Sequence, residues 1–285
     1  MSKGADRPRG RRLGDYYRSG DWSDYWQTAV SYVGPHKLLG RGYPIDELVE
    51  HLTFPEILYL TVRGELPTKA QARVLDAALC SIPSHQWVAA HLLAAAVTAS
   101  AFPESPIPGI ASGILTMGSV TVSPQETAAL IERGQALMRD EGLDMDQAAD
   151  RLVDLYRAEG RFIPGLGHPN HKNQDPRATA LMKVAKKHGV WGDASKLYGR
   201  VHSAFNRKLE KDLPVNIDGM LGCVLTELGF TPLEMAGIAA TAAMPGIVAH
   251  VIEEISSGVP LRIVPDALGS RYTGPPERHI PKNRA

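Results

Sequence analysis

Apolar positions recur at spacings of three and four along most of the chain, the period of an amphipathic helix. The clearest start signal is Thr53 with Glu56 three residues on, ahead of Ile57, Leu58, Leu60 and Val62. A hydroxyl and a carboxylate at that spacing each satisfy a free amide of the first turn, and Gly64 closes the helix in the left-handed region. The same periodicity predicts helices over 69–79, 88–101, 107–115, 123–140, 144–158, 178–187, 193–210, 219–228 and 232–254. Three of these begin at marked caps: Ser123-Pro124 with Glu126, Asp144 before Met145, and Thr231-Pro232 with Glu234. Each sets an acceptor before the helix and a proline or carboxylate in its first turn. Strand signals are scarce. Only 260–273 reads as extended, with Leu261, Ile263 and Val264 set among Pro260, Pro265 and Gly269. The predicted class is all-α, ending in an arm suited to lie across a neighbouring subunit.

Composition narrows the function classes. The 285 residues carry 31 Lys+Arg against 31 Asp+Glu, and 44% are hydrophobic, which excludes a disordered, collagenous or disulfide-scaffold chain. Zero net charge argues against bulk electrostatic binding of nucleic acid or an acidic membrane. The apolar run 88–101 is short of the ~20 residues of a bilayer span, so no membrane segment is expected. Residues 1–12 are basic and polar, without the apolar core of a secretory signal, and read as a solvated arm carrying Lys3, Arg7, Arg9, Arg11 and Arg12. Cys80 and Cys223 lie far apart in apolar surroundings and are expected to be buried free thiols in a reducing, cytoplasmic compartment. With no repeat or long polar linker, a second domain has to be an insertion. The expected organisation is a basic arm over 1–30, a large helical domain from 31–122 and 229–285, and a small domain over 123–228.

Two stretches carry candidate chemistry. In 162–177, Pro164, Gly165, Gly167 and Pro169 make a tight loop that exposes His168 for proton transfer. Lys172 and Arg177 follow as an ammonium and a guanidinium suited to phosphate and carboxylate. Asp175, just before Pro176, reads as a helix cap. In 213–222, Asp218 precedes Gly219 and an apolar helix, where a carboxylate is either an N-cap or, half-buried, a base of raised pKa. Asn216 would offer its amide beside it. No Walker loop, dinucleotide fingerprint or His/Cys/Glu cluster at metal-ligand spacing is found, so no metal is expected.

Pro-Gly-Leu-Gly-His168 with Asp175-Pro-Arg177, then Pro214-Val-Asn-Ile-Asp218-Gly, resembles the paired signature of the citrate synthase superfamily, including the citryl-CoA lyase module of ATP citrate lyase. Arg41-Gly-Tyr-Pro-Ile, Phe54-Pro-Glu, Gly64-Glu-Leu-Pro-Thr68, Ala249-His-Val-Ile-Glu and Arg271-Tyr-Thr-Gly-Pro275 are similar to its other motifs, in order, from about residue 39 to 275. The resemblance implies an all-α fold with an inserted small helical domain, a homodimer with an interdomain cleft, and Claisen chemistry on a coenzyme A thioester in either direction. It puts Asp218 at the carboxylate serving the thioester α-carbon and His168 at the acid/base on the other substrate's oxygen. His85 falls at a substrate histidine, in a segment that also holds His91, and Arg177 at a substrate-carboxylate contact. Pro164, Gly165, Leu166, Gly167, Lys172 and Asn216 fall at coenzyme A contacts.

Departures from the pattern bear on the reaction. Gly118-Ser-Val-Thr121-Val-Ser stands where the synthases carry a thioester-polarising histidine, which favours a lyase and leaves Thr121 as a weaker donor. Ala243 stands where a carboxylate-binding arginine is expected, so Arg262 or Arg271 of the C-terminal arm would have to compensate, or the substrate has fewer carboxylates. The expected activity is cleavage of citryl-CoA, or a related 3-hydroxy-3-carboxyacyl-CoA, to an acyl-CoA such as acetyl-CoA and a 2-oxo acid such as oxaloacetate. In this reading His168 takes the hydroxyl proton and a protonated Asp218 protonates the new methyl carbon. The alternatives are a citrate or 2-methylcitrate synthase-type enzyme running forward, and a non-catalytic module that binds coenzyme A esters.

Overall fold

A computed structural model describes residues 11–281. The chain forms two compact units, one ending at Ala72 and the other beginning at Arg73.

In the first unit, helix α1 (Leu13–Ser19) presents Tyr16 to an aromatic cluster with Trp22 and Tyr25. Arg11 lies 4.2 Å from the Tyr16 ring centroid and pairs with Asp24 at 2.9 Å. Arg11 is therefore tied to the fold and not part of a solvated tail; Lys3, Arg7 and Arg9 lie outside the described residues. A three-stranded antiparallel sheet follows, β1 (Ser31–Gly34), β2 (Lys37–Gly40) and β3 (Tyr43–Pro44), with Ser31 opposite Gly40 and Leu39 opposite Pro44. The sequence reading missed it. Strands this short, with Tyr32, Val33 and Leu38 all exposed, carry no alternation to detect, and the turn residues Gly34-Pro35 were the one available signal. Helices α2 (Ile45–His51) and α3 (Phe54–Arg63) complete the unit. The predicted box is present: Glu56, nearly buried, accepts from the Thr53 N–H at 2.9 Å and from Lys69 at 2.9 Å. Those donors hold its carboxyl down to about 2.

Helix α4 (Lys69–Leu79) leads into the second unit. There follow α5 (Ala90–Ala99), α6 (Ile107–Leu115), α7 (Pro124–Asp140), α8 (Met145–Ala158), α9 (Pro176–Lys187), α10 (Asp193–Leu209), α11 (Ile217–Glu227) and α12 (Pro232–Ser257). Asp144 and Thr231 cap α8 and α12 as predicted, but the Ser123 hydroxyl makes no cap bond to α7. One core is built by α7, α8, α10 and α11 around Leu130, Leu152, Leu197, Tyr198 and Val201. Beside it, α12 packs against α5, α6 and α7. Contrary to expectation, α12 is long and apolar enough to cross a membrane by length and composition. Met235, Ile238, Ala242, Ile247 and Val251 are buried, as in the core helix of a globular unit.

Two further expectations are corrected. Cys223 is buried and unpaired, but Cys80 is exposed, because it lies just past the end of α4. Segment 259–281 forms no strand. It is anchored where the Leu261 N–H donates to the Ser100 carbonyl at 3.1 Å and Arg262 grips buried Glu254 at 2.7 and 3.0 Å; beyond this, Ile263, Val264, Leu268 and Tyr272 are exposed.

Candidate active site

The two motif loops are joined by backbone. Leu166 and Val215 form an isolated antiparallel bridge, flanked by Gly167 N–H to Pro214 carbonyl at 2.8 Å and Asn216 N–H to Gly165 carbonyl at 2.9 Å. Tyr198 donates its hydroxyl to the Pro164 carbonyl at 2.7 Å. Gly165, at φ +80°, sits so close to α11 that a Cβ would lie 2.3 Å from the Gly219 Cα. Only a residue without a side chain fits there. Asn216 caps α11 by accepting from the Gly219 N–H at 3.1 Å, and its amide donates to the Gly167 carbonyl at 2.8 Å. Asp218 is therefore in the first turn and not at the cap, which frees its carboxylate.

Asp175 does far more than cap α9. At 1% exposure it accepts from the Arg177 N–H and Nε, both at 3.0 Å, and from Nη2 at 2.8 Å. Its Oδ2 also accepts from the Ile217 N–H at 3.0 Å, joining the His168 loop to the turn that carries Asp218. Burial pushes the Asp175 carboxyl up, but the Arg177 bonds and charge outweigh it and hold the group below the usual carboxylate range.

A cavity of about 360 Å³ is lined by His85, His168, Arg177 and Asp218, with Thr121, Asn216 and Gly167 on its wall. The Nδ1 of His168 accepts two backbone N–H groups, from Asn170 at 3.0 Å and His171 at 3.1 Å. With Nδ1 occupied as an acceptor, the neutral ring carries its proton on Nε2. That Nε2 lies 3.1 Å from Nε2 of His85, so His168 donates and His85 accepts. Burial, reinforced by His171, His85 and Arg177, lowers the His168 pKa to about 4. Burial and the Arg177 charge also lower that of His85. Asp218 moves the opposite way. Burial raises its carboxyl pKa, partly offset by a bond from the Ser123 N–H and by Arg177.

The wall facing these groups is built by segment 82–91 and the loop before α7. His85 is held there by α12, where Gly246 approaches Pro83 so closely that a Cβ would lie 1.8 Å from its carbonyl oxygen. Gln86, at φ +50°, and Val122, at φ +55°, hold left-handed conformations that are costly for side-chain-bearing residues, most of all for a β-branched one. His91 also lines the cavity, and its buried Nδ1 has no hydrogen-bond partner.

The remaining predicted residues divide. Gly167 borders the cavity, while Pro164, Gly165 and Leu166 act through the loop backbone just described. Lys172 is exposed and outside the cavity lining. Arg271, exposed in the C-terminal segment, also lies outside it, and Arg262 is committed to Glu254. Sequence reasoning missed the brace made by Asp175, whose only local signal was a cap. It also missed a histidine cluster: ligating nitrogens of His85, His168 and His171 lie within 4.8 Å of one another, close enough to hold a metal ion. Ligand spacing could not show this, since His85 and His168 are 83 residues apart.

The profile of the citrate synthase C-terminal domain matches residues 24–130 and 125–263. The chain belongs to the citrate synthase family. It is similar in structure to citryl-CoA lyase from Hydrogenobacter thermophilus, with a TM-score of 0.80 and 30% identity, covering 90% of this chain and 97% of that one. ATP citrate lyase from Methanothrix soehngenii shares the fold, with a TM-score of 0.75 at 20% identity, over 96% of this chain and 46% of the other. Citrate synthase 2 of Bacillus subtilis is 26% identical over 235 residues, 81% of this chain and 59% of that enzyme. The chain thus spans less than two thirds of the curated relatives it matches.

Proposed function

We propose that this protein is a carbon–carbon lyase that cleaves citryl-CoA, or a related 3-hydroxy-3-carboxyacyl-CoA, to an acyl-CoA and a 2-oxo acid. The observation that carries this reading is a single cavity holding a carboxyl of raised pKa opposite a neutral imidazole pair with a defined proton direction. The citryl-CoA lyase matched over nearly its whole length supports the same direction of reaction.

The tautomer revises the roles expected from sequence. The neutral His168 has its proton on Nε2 and cannot take another there, so the base for the tertiary hydroxyl is His85 Nε2. His168 donates a hydrogen bond to the same oxygen as the carbonyl forms, and Arg177 holds the adjacent carboxylate. The bond between the carbinol carbon and the thioester α-carbon breaks, its electron pair enters the thioester as an enolate, and protonated Asp218 delivers a proton to that carbon. The Thr121 hydroxyl is the donor for the enolate oxygen. Burial suits this, because it keeps Asp218 protonated to higher pH than an exposed aspartate.

Coenzyme A runs along the loop of Pro164, Gly165, Leu166 and Gly167, with Lys172 on a phosphate. The enzyme is a cytoplasmic homodimer whose C-terminal segment, with Arg271, reaches the partner's cleft, and 123–228 is the small domain. The exposed apolar side chains of 259–280 support that placement.

The test is incubation of purified protein with 3-hydroxy-3-carboxyacyl-CoA thioesters, followed by mass spectrometry. The expected products are an acyl-CoA and a 2-oxo acid in equal amounts. Formation of a free hydroxy acid and coenzyme A from acyl-CoA plus 2-oxo acid would instead make it a synthase.

A further inference from the structure

Resting on the lyase reading, the cavity also carries information about which thioester is cleaved. Citryl-CoA has two free carboxylates on its acyl part, and a buried carboxylate without a cationic or multiply donating partner is strongly disfavoured. Among the described residues the lining holds one guanidinium, that of Arg177, and no ammonium. Even that guanidinium is partly used, since Nε and Nη2 donate to Asp175 at 3.0 and 2.8 Å. Nη1 and one Nη2 hydrogen remain, enough for a single carboxylate. The imidazoles do not supply a second cation, because the 3.1 Å contact between His85 and His168 requires an unprotonated nitrogen facing a protonated one. The arms of the C-terminal segment are spoken for or distant from this lining: Arg262 is clamped to Glu254, and Arg271 does not border the cavity. The rest of the wall is apolar, formed by Val88, Ala89, Val120, Val122 and Ala243.

We infer that the preferred substrate carries one free carboxylate, held by Arg177, and a short alkyl group on the carbinol carbon where citryl-CoA has a carboxymethyl group. Its 2-oxo acid product is then a monocarboxylate. With a methyl substituent, cleavage gives acetyl-CoA and pyruvate: the hydroxyl proton leaves to His85, the C–C electron pair passes to the thioester enolate, and Asp218 returns a proton to carbon. No oxidant, water or second substrate is consumed.

The experiment compares three thioesters that share the 3-hydroxy-3-carboxypropanoyl-CoA frame and differ at C3: methyl, ethyl and carboxymethyl, the last being citryl-CoA. Initial rates are read by acyl-CoA chromatography on the wild-type protein. The expected result is a kcat/KM for methyl or ethyl about 10²-fold above that for carboxymethyl, the penalty of an unpaired carboxylate. A ratio below tenfold, or a preference for citryl-CoA, overturns the inference and leaves the lyase reading standing. Failure to cleave any of the three removes the lyase reading and this inference together.

Discussion

The two walls of the cavity are built differently. The wall of His168 and Asp218 is braced throughout, by a backbone bridge, a glycine pressed against a glycine, and a buried aspartate that bonds both loops. The opposite wall, of residues 82–91 and 118–123, holds exposed apolar side chains and two non-glycine residues with positive φ. The comparison teaches that proton transfer and substrate choice are served by separate structures. Chemistry that needs sub-ångström placement sits on the braced wall, while the wall of valines and alanines shapes the pocket around a substituent.

Substitutions on the braced wall should have the largest effects. Asp218→Asn removes the only carboxyl able to protonate the α-carbon, and kcat should fall by ~10²–10⁴-fold with binding of a thioester, read by calorimetry, nearly unchanged. Asp175→Ala leaves Arg177 unpaired in a buried site and should destabilise the fold by about 3–5 kcal/mol, read as a melting point lower by roughly 6–20 °C. A smaller effect is expected in the pH profile of cleavage. The reaction needs Asp218 protonated and His85 neutral, so the rate should fall as pH rises through the raised Asp218 pKa. It should also fall in acid as the imidazoles, His168 at about 4, become protonated. Asp175→Asn removes a negative charge that raises the Asp218 value, so the alkaline limb should move to lower pH. A purely structural role for Asp175 would leave that limb in place. Least of all should follow from Val122→Gly on the other wall, where relief of the left-handed strain should raise stability by on the order of 1 kcal/mol in urea melts.

The same contrast explains what the sequence could reveal. Helix boundaries set by local chemistry were legible: the Thr53–Glu56 box, the Asp144 and Thr231 caps and the apolar period of α6 need no long-range information. His168, Arg177 and Asp218 were legible because glycines, prolines and charges cluster around them. The placement of α11 two residues earlier than expected was not, since Asn216 takes the cap only once its amide is also held by the Gly167 carbonyl. Nor was the direction of the proton between His168 and His85, which depends on two backbone N–H groups across a turn and a partner 83 residues away. The hairpin of 31–40 escaped because its side chains are mostly outside any core.

Between α12 and the Pro83 carbonyl there is room at Gly246 for a single hydrogen atom. Replacement by alanine would leave every reactive group in the cleft chemically unaltered, yet would shove aside the strand of backbone from which His85 hangs. A residue with nothing to contribute to the reaction thus governs where its base stands, and no inventory of functional groups would ever name it.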